Sequence, residues 1–163
     1  MPEASAERAR RDRVFLVVVD DSPERAVALR YAALRAAKSG GRVALLRVIE
    51  PVEQSEWAGI GAMMAQERRE EAEALVAGLA AQVRDITGGL PILITREGKV
   101  ADELLALLEE DPRISILVLA TAAHAKGPGP LVSALTGRLA GRMTVPMTLV
   151  PGSMSDAELD RVT

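Results

Sequence analysis

Five short apolar runs, at residues 14–19, 43–49, 91–95, 114–120 and 145–150, are separated by four stretches with apolar residues at helical spacing. Runs this short, bounded by turn residues and rich in β-branched side chains, read as strands. The first, Val14-Phe15-Leu16-Val17-Val18-Val19, is apolar at every position, which suits a strand buried on both faces. A helix between each pair of strands permits parallel pairing, and right-handed crossovers place helices on both faces of the sheet. The expected fold class is therefore α/β, with a five-stranded parallel open sheet. Pro146 and Pro151 place the last strand at an edge, because proline cannot donate to an interior ladder.

The helix boundaries carry local signals. Ser22-Pro23-Glu24 reads as a helix start, with Ser22 as cap and Glu24 at the positive end of the helix dipole. Ala26, Leu29, Ala33, Leu34 and Ala37 follow at helical spacing, and Gly40-Gly41 supplies a stop. A long helix is expected over 61–87, burying Ala72, Leu75, Val76, Leu79, Val83 and Ile86. Shorter helices are expected over 101–110 and 131–142, the latter using Gly137 and Gly141 to pack closely on the sheet.

With 163 residues, the chain has room for one domain, expected over 13–151 between polar tails at 1–12 and 152–163. Twenty basic against 23 acidic residues leave a net charge of −3, which argues against a nucleic-acid partner. The absence of cysteine excludes thiolate chemistry, and a single histidine, His124, leaves little room for metal or triad chemistry; His124 is expected at the surface. No residue is assigned a catalytic role and no metal site is expected. The N-terminus has no apolar leader region, and no run is long enough to span a bilayer, so a cytoplasmic setting without membrane contact is expected.

In an open parallel sheet, ligands bind beyond the carboxyl ends of the strands, where strand order reverses. That directs attention to Asp20-Asp21-Ser22 after the first strand. Two readings stand for the acidic pair. Either Asp21 or Ser22 caps the helix while Asp20 ends the strand, or Asp20 accepts hydrogen bonds from a nucleobase or sugar, or the pair holds Mg²⁺. A divalent ion would want further oxygen ligands there. Trp57, Met63 and Met64 fit ordinary core or loop packing better than a groove or a partner surface.

The opening strand and acidic pair resemble two families. A response-regulator receiver domain would need a phosphoacceptor Asp after the third strand and a Lys after the fifth. Arg96-Glu97 and Pro151-Gly152 stand there instead. The second resemblance covers nearly the whole chain, 13–151. Val18-Val19-Asp20-Asp21-Ser22 is similar to the Val-Asp-Gly-Ser opening of the universal stress proteins, and residues 44–51 resemble that family's second strand and exit. Gly98-Lys99-Val100-Ala101-Asp102-Glu103-Leu104 resembles its glycine-led third helix, and residues 145–151 its closing strand. The resemblance implies strand order 3-2-1-4-5 and a stress-response role. It also implies a homodimer, here through Val145, Met147 and Leu149 of the fifth strand, an edge that would otherwise lie open.

Some members of that family bind ATP through Gly-x2-Gly-x9-Gly-[Ser/Thr] after the fourth strand. Counting back from Pro146, Ala120, Ala123, Ser133 and Ala134 hold these positions. Glycine lets a backbone approach phosphate closely and turn its N–H groups inward, and a β-carbon obstructs both. A second register, His124-x2-Gly127-x9-Gly137-Arg138, restores two glycines but leaves a shorter stretch for a helix before Pro146. Lys126, Gly127 and Gly129 would then be either an anion site of another kind or a proline-stiffened surface loop. The leading expectation is a binding and regulatory module with weak or absent ATP binding. The alternative is an ATP- or AMP-binding protein, or slow ATPase, using Mg²⁺. It would use Asp20 and Val48 at the base and the residues from Ala120 to Gly129, among them Thr121, Lys126 and Gly127, at the phosphates, with Asp21, Ser22 and Ser133 as further candidate contacts.

Overall fold

The computed structural model describes residues 3–5, 13–51, 58–123 and 126–163. Five strands, β1 (Val14–Val18), β2 (Arg42–Ile49), β3 (Ile92–Glu97), β4 (Ile114–Thr121) and β5 (Met147–Pro151), alternate with helices. The helices are α1 (Arg25–Ser39), α2 (Ala58–Thr87), α3 (Val100–Glu110), α4 (Pro130–Thr136) and α5 (Asp156–Val162). The strands form one sheet in the order β3-β2-β1-β4-β5, all neighbours parallel. Register pairs Val18 with Leu46 and Val17 with Val118, so β1 sits at the centre.

The continuous apolar run of β1 serves two cores. Val14, Leu16 and Val18 pack with Leu104, Leu105, Leu107 and Leu108 of α3 and with Val132 and Leu135 of α4. Phe15, Val17 and Val19 pack with Ala28, Leu29, Ala32, Ala33 and Ala36 of α1, Val76, Leu79 and Val83 of α2, and Leu159 of α5. Full burial of one such side chain is worth about 1.5–3 kcal/mol, and two opposed cores make the central strand the most constrained element. The alanine stripe of α1 lets that helix lie close on the sheet. Ala26 and Ala37, expected inside, are exposed, and Leu34 is half-buried.

Several sequence expectations are corrected. Ser22 does not cap α1: the position before the helix is Glu24, which makes no side-chain cap bond, while Ser22 turns back to Asp20. The expected helix over 131–142 breaks at Gly137, giving α4 and then a 3₁₀ turn at Ala140–Arg142. Gly141 faces open space, and a β-carbon on Gly137 would meet only the Ser133 carbonyl, so neither glycine brings a helix onto the sheet. The fifth strand starts at Met147, leaving Val145 outside it as a half-buried residue packed on the α3–α4 core. The acidic end is no frayed tail, because Ser153–Thr163 contains α5, docked on α1. Its Asp160 pairs with Arg30 at 2.7 Å, and its Leu159 is buried. Residues 1, 2 and 6–12 of the expected N-terminal tail, Trp57 and His124 lie outside the described residues. Met63 and Met64, expected to pack, are exposed with Ile60 on the first turns of α2.

Candidate functional site

Strand order reverses between β1 and β4, and the ends of these strands open into a crevice. Its floor is Asp20. The carboxylate Oδ1 accepts hydrogen bonds from the Ser22 main-chain N–H at 2.9 Å and the Ser22 hydroxyl at 2.6 Å. The Asp20 main-chain oxygen accepts from Arg25 Nη1 at 2.8 Å. A short polar side chain bonding the backbone two residues on makes a tight turn, which explains why Ser22 serves Asp20 rather than α1.

Three hollows meet at Asp20. The largest, about 830 Å³, lies between Glu50-Pro51, the Gly98–Asp102 segment, and Leu131, Ala134 and Arg138. A second, about 500 Å³, lies under α2 and is lined by Asp21, Arg47, Val48, Glu50, Arg68 and Glu71. The third, about 130 Å³, lies where the phosphate end of a nucleotide would be sought, among Ser22, Glu24, Ala120, Ala122 and Gly129. It is small against the roughly 300–1,000 Å³ of ordinary small-molecule sites.

The loop after β4 explains that small volume. Gly129 takes φ +101°, a conformation glycine tolerates, and brings the loop back on itself beside Ala122. Ala122 N–H donates to the Pro128 carbonyl at 3.1 Å. Ala123 N–H donates to Glu24 Oε1, also at 3.1 Å, across 99 residues of sequence. Pro128 and Pro130 have no N–H to offer. The two amides following Thr121 are thus turned into the protein.

The structure brings together Asp20, Ser22, Ala120 and Gly129 around the small hollow, and Asp20, Asp21 and Val48 around the one under α2. Thr121, Lys126, Gly127 and Ser133 line none of the three. Ser133 is exposed, and its N–H belongs to the helical bond to Gly129. Among the described residues, no group of three or more His, Asp or Glu side chains is arranged to hold a metal ion.

Two side chains that line the crevice were not among the candidates read from the sequence. Arg47 sits in β2, donating from Nη1 to the Val19 carbonyl at 2.9 Å and from Nη2 to Asp21 at 3.0 Å, while its Nε is buried without a partner. An arginine inside an otherwise apolar strand was the available signal. Glu24 carried no such signal, because its bond to Ala123 depends on the fold.

The family model of the universal stress proteins matches residues 13–151, the sheet and all its crossovers. The chain belongs to the universal stress protein family. Similar solved structures include universal stress protein UspA from Lactobacillus plantarum, with 16% identity, TM-score 0.69, and coverage of 85% of this chain and 97% of that one. A universal stress protein from Burkholderia pseudomallei has 18% identity and TM-score 0.60, with 85% and 95% covered. A universal stress protein in complex with cAMP has 18% identity and TM-score 0.54, with 86% and 98% covered. No curated protein matches the chain. As a universal stress protein it has the expected strand order, and no helix among the described residues is long and apolar enough to cross a membrane.

Proposed function

We propose that this universal stress protein is a cytoplasmic binding and regulatory module of a stress response, dimeric through β5, that holds ATP weakly or not at all. One observation carries the nucleotide part: the amides of Ala122 and Ala123 are bonded within the protein, at the loop where ATP-binding members of the family place glycines. An anion at that loop would have to break both bonds, and the β-carbons of Ala120, Ala123 and Ser133 stand where the family pattern has none. The larger hollow beside Asp20 remains available to a ligand without a polyphosphate tail.

Isothermal titration of the full chain with Mg-ATP tests this. The expected result is an affinity weaker than about 10 μM, and tight binding at or below that value overturns the reading.

A second reading has its own support, because a solved neighbour of the same fold is a universal stress protein in complex with cAMP. Here the crevice takes an adenine nucleotide, ATP or AMP with Mg²⁺, using Asp20 and Val48 at the base. Nucleotide released from denatured protein, and lost in Asp20→Ala, supports this second reading. Its absence in both proteins removes it.

A further inference from the structure

We infer that Glu24 sets the ligand class of the crevice, its carboxylate occupying the anion position of the β4–α4 loop and keeping phosphate-bearing ligands out. The inference rests on the reading above that polyphosphate binds weakly, and it names the residue responsible. Three observations converge on it.

First, Ala123, whose N–H meets Glu24 Oε1 at 3.1 Å, stands at the second glycine position of the ATP-binding pattern as counted from Pro146. A backbone amide there is a donor suited to an oxyanion, and a carboxylate is an oxyanion already in place. Second, the position is built to hold that side chain. The Gly152 backbone passes so close that a β-carbon on it would stand 2.5 Å from Glu24 Cγ, so only glycine leaves Glu24 this path. Third, the small hollow is lined by two carboxylates, Glu24 and Asp20, against one guanidinium, Arg25, so an incoming phosphate meets an excess of negative charge as well as an occupied donor. Arg25 Nη1 donates to the Asp20 main-chain carbonyl at 2.8 Å.

Occupation of the donor and like-charge repulsion act in the same direction. Either alone changes an equilibrium by roughly tenfold or more when the groups are partly desolvated. The competitor is covalently attached, so raising ligand concentration does not dilute it.

The test uses the full chain, Glu24→Ala and Glu24→Gln, titrated calorimetrically with ATP, inorganic pyrophosphate and adenosine, alongside the amide NMR shift of Ala123. Expected is a gain of roughly tenfold or more for ATP and pyrophosphate in Glu24→Ala, and a smaller gain in Glu24→Gln. Adenosine binding should stay unchanged, and the Ala123 amide should move during the pyrophosphate titration. If the alanine variant melts, Glu24→Gln, similar in size and uncharged, decides the matter alone. Folded variants with no gain overturn the inference and leave the weak-binding reading intact, because the β-carbons of the loop would then suffice. An equal gain for adenosine also overturns it, since Glu24 would then merely fill space. Tight ATP binding by the unaltered chain overturns the weak-binding reading itself.

Discussion

Gly152 shows how much one missing β-carbon controls. A methyl group there would overlap the Thr121 carbonyl oxygen as well as crowd Glu24. Glu24 lines the small hollow, and neither neighbour is a flexible tip, since the Thr121 oxygen is backbone of a paired strand and Glu24 Cγ lies close to its own main chain. Gly152→Ala is therefore expected to destabilise by about 1–3 kcal/mol, the usual cost of overpacking. Thermal unfolding should show this as a midpoint lowered by roughly 2–12 °C in a chain of this size. An unchanged midpoint would mean that the β5 exit moves freely and does not position Glu24. The sequence alone points to Asp20 and Ser22, but it reads Ser22 as the helix cap, where the structure turns Ser22 back onto Asp20. It is silent on the contact between Glu24 and Ala123, made across 99 residues, and on Gly152, whose neighbours come from two other elements.

Elements followed the sequence where burial repeats along the chain and departed where docking decides. The apolar run of β1 and the stop at Gly40 are local statements that the fold honours. The first turns of α2 extend past the end of their apolar face, leaving Ile60, Met63 and Met64 exposed. α5 was missed although its start was written plainly. Ser155 accepts from the Glu158 N–H at 3.2 Å, and the Glu158 carboxylate accepts from the Ser155 N–H at 2.8 Å, a reciprocal cap just before Leu159. A seven-residue helix is unstable alone, so its existence depends on burying Leu159 and on pairing Arg30 with Asp160. Leu159→Ala is expected to cost about 2–5 kcal/mol, and Ser155→Ala about 0.5–2 kcal/mol, in chemical denaturation. The cap also titrates. The Ser155 backbone N–H, then its hydroxyl, hold Glu158 below its ordinary value of 4.5. A carboxylate depressed in the folded state contributes stability above its unfolded value and loses that contribution as pH falls through the folded one. Protection of the amides across 156–162, taken relative to their intrinsic exchange at each pH, should therefore fall below about pH 4.5, and Glu158→Gln should remove that step. A flat profile in the unaltered chain would show that docking alone holds α5.

At the scale of the molecule, the two edges of the sheet differ in a way that bears on assembly. β3 carries its own protection: Arg96 pairs with Glu110 at 2.5 Å and lies near Glu103, and Glu97 pairs with Arg69 of α2. Charged side chains along an edge discourage a second strand from adding to it. β5 has none, since no charged residue occurs from Met143 to Ser155. Leu149 is 40% exposed on it, Met147 is half-buried, and Val145 lies just before it. An apolar edge opposite a charged one fits the proposed pairing of β5 with a second copy of itself. Light scattering at tens of micromolar should accordingly give twice the chain mass. Leu149→Glu, which places a charge where the two copies would meet, should halve it without unfolding the chain, because the side chain is not part of either core. A single-chain mass for the unaltered protein would mean that β5 is left open, and that the shortness of its five residues, flanked by Pro146 and ending in Pro151, suffices to keep other strands away.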